Sequence, residues 1–306
     1  MTATRREMNA FGAIGNTSAV RNGIEVLISL ENTNLRSGLA NTIHANYPMA
    51  HITEAPTFFD HRSSVEARNF DAIIVAAELT GRPTYPLCKE MREGRTGAHP
   101  FPIVSLVTDN LDNKVIRDII DSGPDDIILL PTTPDGLRSR IDAFVLSRKP
   151  FVVTRDYTGP DRRKALRPGS EPAPTLTPPN PLSAKLQGVS RENLAANIRN
   201  ATLRLHALKL ERYGAQLKWL QSNPRLIVNG DAGSMTDRIR AVCHEATETL
   251  SRIDHADSAA IASTCQKLMH AAETIAAKPE TTGLVVEFET ATQKLTQELH
   301  RLAPHG

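Results

Sequence analysis

Between Ile24 and Ser147 short aliphatic runs alternate with amphipathic stretches, and this rhythm constrains the fold more than any other feature of the chain. The runs are Ile24–Leu30, Ala72–Ala76, Ile103–Val107 and Asp126–Leu130, with a weaker one near Ala50–Thr53. They are continuously apolar rather than alternating, as expected of parallel strands covered on both faces. Between them the spacing predicts helices over Leu35–Ala45, Arg62–Arg68, Pro86–Glu93, Leu111–Ser122 and Pro134–Leu146. Thr133 can cap the last of these ahead of Pro134, and Gly123-Pro124 ends the one before it. Five strands alternating with five helices imply right-handed crossovers and a doubly wound α/β sheet.

Past Lys149 the pattern breaks. Pro150, Pro160, Pro168, Pro172, Pro174, Pro178, Pro179 and Pro181 oppose helix and favour extended backbone, so 150–189 is expected to be a linker, centred on Arg155 to Ser183. From 190 to 306 apolar residues recur at helical spacing, as in Leu194, Ile198, Leu205 and Leu208, or Leu284, Phe288, Leu295 and Leu299. Punctuation at Asn223-Pro224, Asn229-Gly230 and Pro279 suggests an all-α helical bundle. Residues 1–22 read as a flexible N-terminal segment before an α/β domain at 23–149.

An aromatic share of 4% suits such aliphatic and helical packing, and a net charge of +2 does not by itself point to DNA or a membrane surface. No apolar run approaches the roughly 20 residues of a spanning helix. Cys88, Cys243 and Cys265 are widely separated, which fits a reducing compartment, so the expected location is cytoplasmic. Cys243-His244 with Cys265 matches no zinc spacing, and the two cysteines fall on apolar stripes.

Several motifs together carry a resemblance. Asp71 stands ahead of the run ending at Ala76, Pro102 opens the next run, and Gly123-Pro-Asp-Asp-Ile-Ile-Leu-Leu-Pro131 closes the series. Across about Ile24 to Leu146 the chain resembles the CheY-like response-regulator receiver family. That resemblance implies an acidic pair holding Mg²⁺, a phosphoacceptor aspartate, a hydroxyl and a lysine, all at the carboxyl ends of the strands. Here the acidic pair falls on Leu30 and Glu31, the acceptor on Ala76 and the lysine on Leu130. The hydroxyl position is Thr108 counting back from Gly123, or Val107 counting forward from Pro102. Three of these five positions cannot do their chemical work, so a pseudo-receiver without catalysis, metal or other cofactor is expected. Glu78 reads as an exposed loop residue, and Asp125-Asp126 as turn and capping residues.

Thr154-Arg-Asp-Tyr-Thr-Gly-Pro-Asp-Arg-Arg-Lys164 is the second distinctive stretch. Paired arginines, a carboxylate and an aromatic can read a guanine, and the stretch resembles arginine-rich tails of cyclic di-GMP-binding CheY-like effectors. Its candidate ligand residues are Arg155, Tyr157, Asp161, Arg162 and Arg163. The alternative is Tyr157 packing on the α/β body, with the arginines paired or solvated. His206, His244, His255, His270 and His300 raise histidine phosphotransfer, yet His244-Glu lacks the expected downstream residues, and surface or rim positions are expected. Three functions remain in view. The leading one is a phosphorylation-independent partner of signalling proteins in a two-component pathway, with self-association through the helices. The others are a cyclic di-GMP effector and a histidine phosphotransfer protein.

Overall fold

The computed structural model describes residues 23–154, 156–163, 174–222 and 258–277, with isolated helical positions within 237–244 and 290–297. Five parallel strands form the main sheet: β1 (Glu25–Ser29), β2 (His51–Glu54), β3 (Ala72–Ala76), β6 (Ile103–Thr108) and β7 (Asp126–Leu129). Their order is β2-β1-β3-β6-β7, the flavodoxin-like doubly wound arrangement. Helices α1 (Thr33–Asn46), α2 (Phe58–Ala67), α3 (Tyr85–Arg92), α4 (Asn113–Asp121) and α5 (Pro134–Leu146) connect and follow them.

The period-2 geometry of a strand sends alternate residues to opposite faces. Val26, Ile28, Ala72, Ile74, Ile103 and Ile128 pack with Leu39 and Ile43 of α1 and Leu137 and Ile141 of α5. Leu27, Ile73, Val75, Val104 and Leu106 pack on the other face with Val65 of α2, Cys88 and Met91 of α3 and Ile119 of α4. Short polar caps start the helices: Asn32 accepts from Leu35 N, Thr57 from Asp60 N, Asp112 from Lys114 N and Val115 N, and Thr133 from Gly136 N. Helix α2 begins at Phe58, ahead of the expected Arg62, because Thr57 supplies its cap.

The segment expected to be a linker is structured where it is described. Strands β8 (Phe151–Val153), β9 (Thr158–Pro160) and β10 (Thr175–Leu176) form an antiparallel sheet of order β10-β8-β9, and α6 (Pro181–Leu186) follows. Pro160 is tolerated because β9 is an edge strand, and Pro181 because it opens a helix that Asn180 caps. Phe151, Val153 and Leu176 join Phe101 in a third apolar cluster.

That cluster is closed by Leu205 and Leu208 of α7 (Arg191–Ser222). A further helix, α8 (Ser258–Ala277), buries Ile261, Cys265 and Leu268. In α7, Leu203 and Leu205 to Lys209 are all buried, so the helix is covered around its circumference there. His206 lies within this stretch and is buried, not at a surface or rim, whereas His244 and His270 are exposed. Cys243, His255 and His300 lie outside the described residues, as does the segment before Gly23.

Candidate functional site at the carboxyl edge of the sheet

Strands β1, β3, β6 and β7 deliver Leu30, Ala76, Thr108 and Leu130 to one edge of the sheet. The ladder pairs Ala76 with Val107 and Thr108 with Leu129, so Thr108 ends its strand beside the last residue of β7. Leu30 is buried, and Ala76 and Leu130 are partly buried against the same apolar cluster. The Thr108 hydroxyl accepts from Asn110 N at 3.1 Å, holding the turn into α4.

Above Ala76 the chain makes a tight hairpin from β4 (Glu78–Leu79) and β5 (Arg82–Pro83). Its turn places Thr80 at φ 50 and Gly81 at φ 71. Thr84 ties the hairpin down, its hydroxyl donating to Ala76 O at 2.5 Å. Glu31 is engaged here as well, because its carboxylate accepts from Thr80 N. Glu78 is exposed on the hairpin.

Arg36 reaches this edge from α1 and is buried. Its Nη1 donates to Leu30 O at 2.5 Å and to Glu31 O at 3.1 Å, while Nε pairs with Glu54 at 2.8 Å. Nothing in the local pattern marks Arg36; β2 lying beside β1 brings Glu54 to it. Three large apolar side chains stand exposed at the same edge: Phe59 at the start of α2, Leu111 in the turn after β6 and Leu129 at the end of β7. Arg82 lies over Phe58 and Phe59, 5.7 and 4.8 Å from the ring centroids.

The arginine-rich stretch lies at the opposite, amino edge, and its described members are engaged with the protein itself. Tyr157 donates its hydroxyl proton to Pro160 O at 2.9 Å, and Arg162 donates to Pro124 O at 2.8 Å. Arg163 grips both oxygens of Asp161 at 2.9 and 2.8 Å, and these hydrogen bonds hold the Asp161 carboxyl down at about 2. Arg155 lies outside the described residues.

Asp125 is neither a turn nor a capping residue. Its carboxylate is buried at the amino end of β7, where Arg92 meets it at 2.7 Å and Arg148 at 2.8 Å. Burial alone would favour the neutral acid, but the two guanidiniums outweigh it and keep Asp125 ionised. Asp71 stands at the start of β3, accepting from Glu25 N at 2.7 Å and pairing with Lys185 of α6 at 2.7 Å, but here burial outweighs the ammonium and raises the carboxyl.

No protein-family model matches the chain, and no curated protein does. Among solved structures it is similar to the response regulator DrrB of Thermotoga maritima, an OmpR/PhoB homologue. The identity is 16% over 44% of this chain and 58% of that one, with a TM-score of 0.37, so the match spans little more than half of that protein. It is also similar to a CheY-like receiver domain protein from Methanospirillum hungatei, at 16% identity, 40% and 92% coverage and a TM-score of 0.36. A third is the receiver domain of a Pseudomonas aeruginosa sensor histidine kinase with magnesium in its active-site cleft, at 17% identity, 41% and 99% coverage and a TM-score of 0.34. Strand order and parallel register define the class by themselves: a doubly wound α/β protein with a five-stranded sheet. Among the described residues no helix is long and apolar enough to cross a membrane, and no group of three potential metal ligands occurs.

Proposed function

We propose that this chain is a signalling protein on a receiver-type sheet that takes up no phosphoryl group and acts by binding other proteins in a two-component-type pathway. One observation carries the reading: Leu30, Ala76 and Leu130, where phosphoryl transfer needs charge, are aliphatic and packed on a single apolar cluster. A methyl group offers no nucleophile, and neither leucine can meet a phosphoryl oxygen or a cation.

The residues present do not fit a divalent cation. Leu30 supplies no oxygen ligand from its side chain, the Glu31 carboxylate is spent on Thr80 N, and the fixed charge of Arg36 lies beside both backbones. Phe59, Leu111 and Leu129 favour the binding role, since large apolar side chains exposed along one edge suit a protein partner.

The test is intact-mass analysis of the full chain after incubation with acetyl phosphate and Mg²⁺, and separately with histidine kinases and ATP. No phosphoryl-sized mass gain is expected. An acid-labile, base-stable adduct on exposed His244 or His270 would replace this reading with histidine phosphotransfer, and an acyl phosphate on any carboxylate would also end it.

A further inference from the structure

Residues 148–154, 156–163 and 174–186 lie along the amino edge of the main sheet as a strap, fastened by side chains at both ends. At its start Arg148 donates to Asp125 through Nε at 2.8 Å and Nη2 at 3.0 Å, and to Phe101 O at 2.8 Å and Pro102 O at 3.2 Å. Its Nη1 also reaches Pro179 O at 2.5 Å, so the guanidinium ties both ends of the strap to one carboxylate. Arg92 of α3 completes the group, donating to Asp125, Gly123 O, Pro100 O and Pro102 O. Phe151 of β8 lies within 5.1 Å of the Arg92 guanidinium and 4.8 Å of that of Arg148, with its ring fully buried. At the far end Asn180 donates to Phe144 O, Ser183 to Val145 O, and Lys185 pairs with Asp71.

On its outer side the strap is the seat of α7. Phe151, Val153 and Leu176 pack with Leu205 and Leu208, and Lys209 donates to Glu93 O at 2.9 Å. Strap and sheet edge thus share one buried ionic group, and strap, Phe101 and α7 share one apolar cluster. The ionic group depends on its carboxylate, because losing Asp125 would leave two guanidiniums buried without a counter-charge.

We propose that the main sheet, the strap and the first half of α7 open as a single cooperative unit, sheet and strap joined at Asp125 by Arg92 and Arg148 and α7 held by the shared apolar cluster, with no hinge at the boundary after α5.

Hydrogen exchange of the full chain over a denaturant series tests this. In the native protein, amides of β8 and α6 are expected to open at the same denaturant concentration as those of β6; opening of the strap below β6 overturns the proposal. Arg148→Met leaves Arg92 and Asp125 as a balanced pair and cuts the tie to Pro179. In that variant, strap exchange is expected to rise about tenfold or more relative to β6. An unchanged ratio removes Asp125 and Arg148 as the joint. Lys185→Met, which loosens only the far end, decides the matter should Arg148→Met fail to fold. Strap and sheet must then shift together, and a change confined to α6 overturns the single unit.

Discussion

Nδ1 of His61 lies 2.8 Å from the hydroxyl of Ser29, with both groups sealed from solvent between α2 and β1. Burial lowers this imidazole to about 4, and lowers His99 and His206 to about 3 each. All three are neutral in the folded protein and take up protons near pH 6.5 once unfolded. The unfolded chain therefore binds more protons between about pH 6.5 and the folded values, and stability falls as the pH drops through that window. Urea midpoints should decline from pH 7 to pH 4.5, each histidine contributing up to about 1.4 kcal/mol per pH unit. His61→Asn should flatten the decline, and an equal slope in that variant would remove His61 from the account.

Replacing Asp125 by asparagine should be among the most damaging single changes in the α/β body. Both guanidiniums stay buried and lose their counter-charge, a loss of about 3–5 kcal/mol. Arg92→Met should cost less than Asp125→Asn, because Arg148 and Asp125 remain balanced. Chemical denaturation of the two variants checks the order.

A carboxylate placed at position 76 should not by itself permit phosphorylation. In Ala76→Asp the new carboxylate stands beside Leu30 and Leu130, with Glu31 held by Thr80 N. Neither Mg²⁺-dependent spectroscopic change nor acyl phosphate after acetyl phosphate treatment is expected; either one would show that the edge is less filled than its packing implies.

Thr80 is a β-branched residue at φ 50, a conformation that asparagine adopts at lower cost. With Gly81 following, Thr80→Asn produces the Asn-Gly pair preferred in two-residue hairpins. A gain of about 0.5–1 kcal/mol in unfolding free energy is expected. A loss would mean that the Thr80 hydroxyl contacts with Leu79 O and Phe58 N outweigh the backbone strain.

Cyclic di-GMP should produce no heat in calorimetric titration with the full chain, and Arg162→Ala with Arg163→Ala should change nothing. The Asp161 carboxylate that would read guanine is already gripped by Arg163. Micromolar binding lost in the double variant would instead establish a nucleotide site at the strap.

The sequence reading came closest where local chemistry suffices. The run Ala72–Ala76 and the helix Pro134–Leu146 have the expected bounds, because an aliphatic run between polar flanks and a Thr-Pro start act within a few residues. It went wrong over the prolines. Proline removes a donor but keeps its carbonyl, and those of Pro102, Pro124 and Pro179 are acceptors to which two arginines, Arg148 and Arg162, fasten the strap. Composition registers the missing N–H groups and is silent about the acceptors. Phe58 and Phe59 lie outside the helical periodicity because the cap at Thr57, not the apolar spacing, starts α2.

By itself the sequence determined the alternation of strands and helices, the Thr133 cap and the aliphatic residues at Leu30, Ala76 and Leu130. Each follows from a residue and its near neighbours. Only the tertiary structure decided that Asp125 is a buried ionic centre, that Glu31 anchors a hairpin and that the described part of the proline-rich segment is a strap. Asp125 meets Arg92 from 33 positions away and Arg148 from 23. What a carboxylate does depends on which cations the topology sets beside it and on how much water it removes.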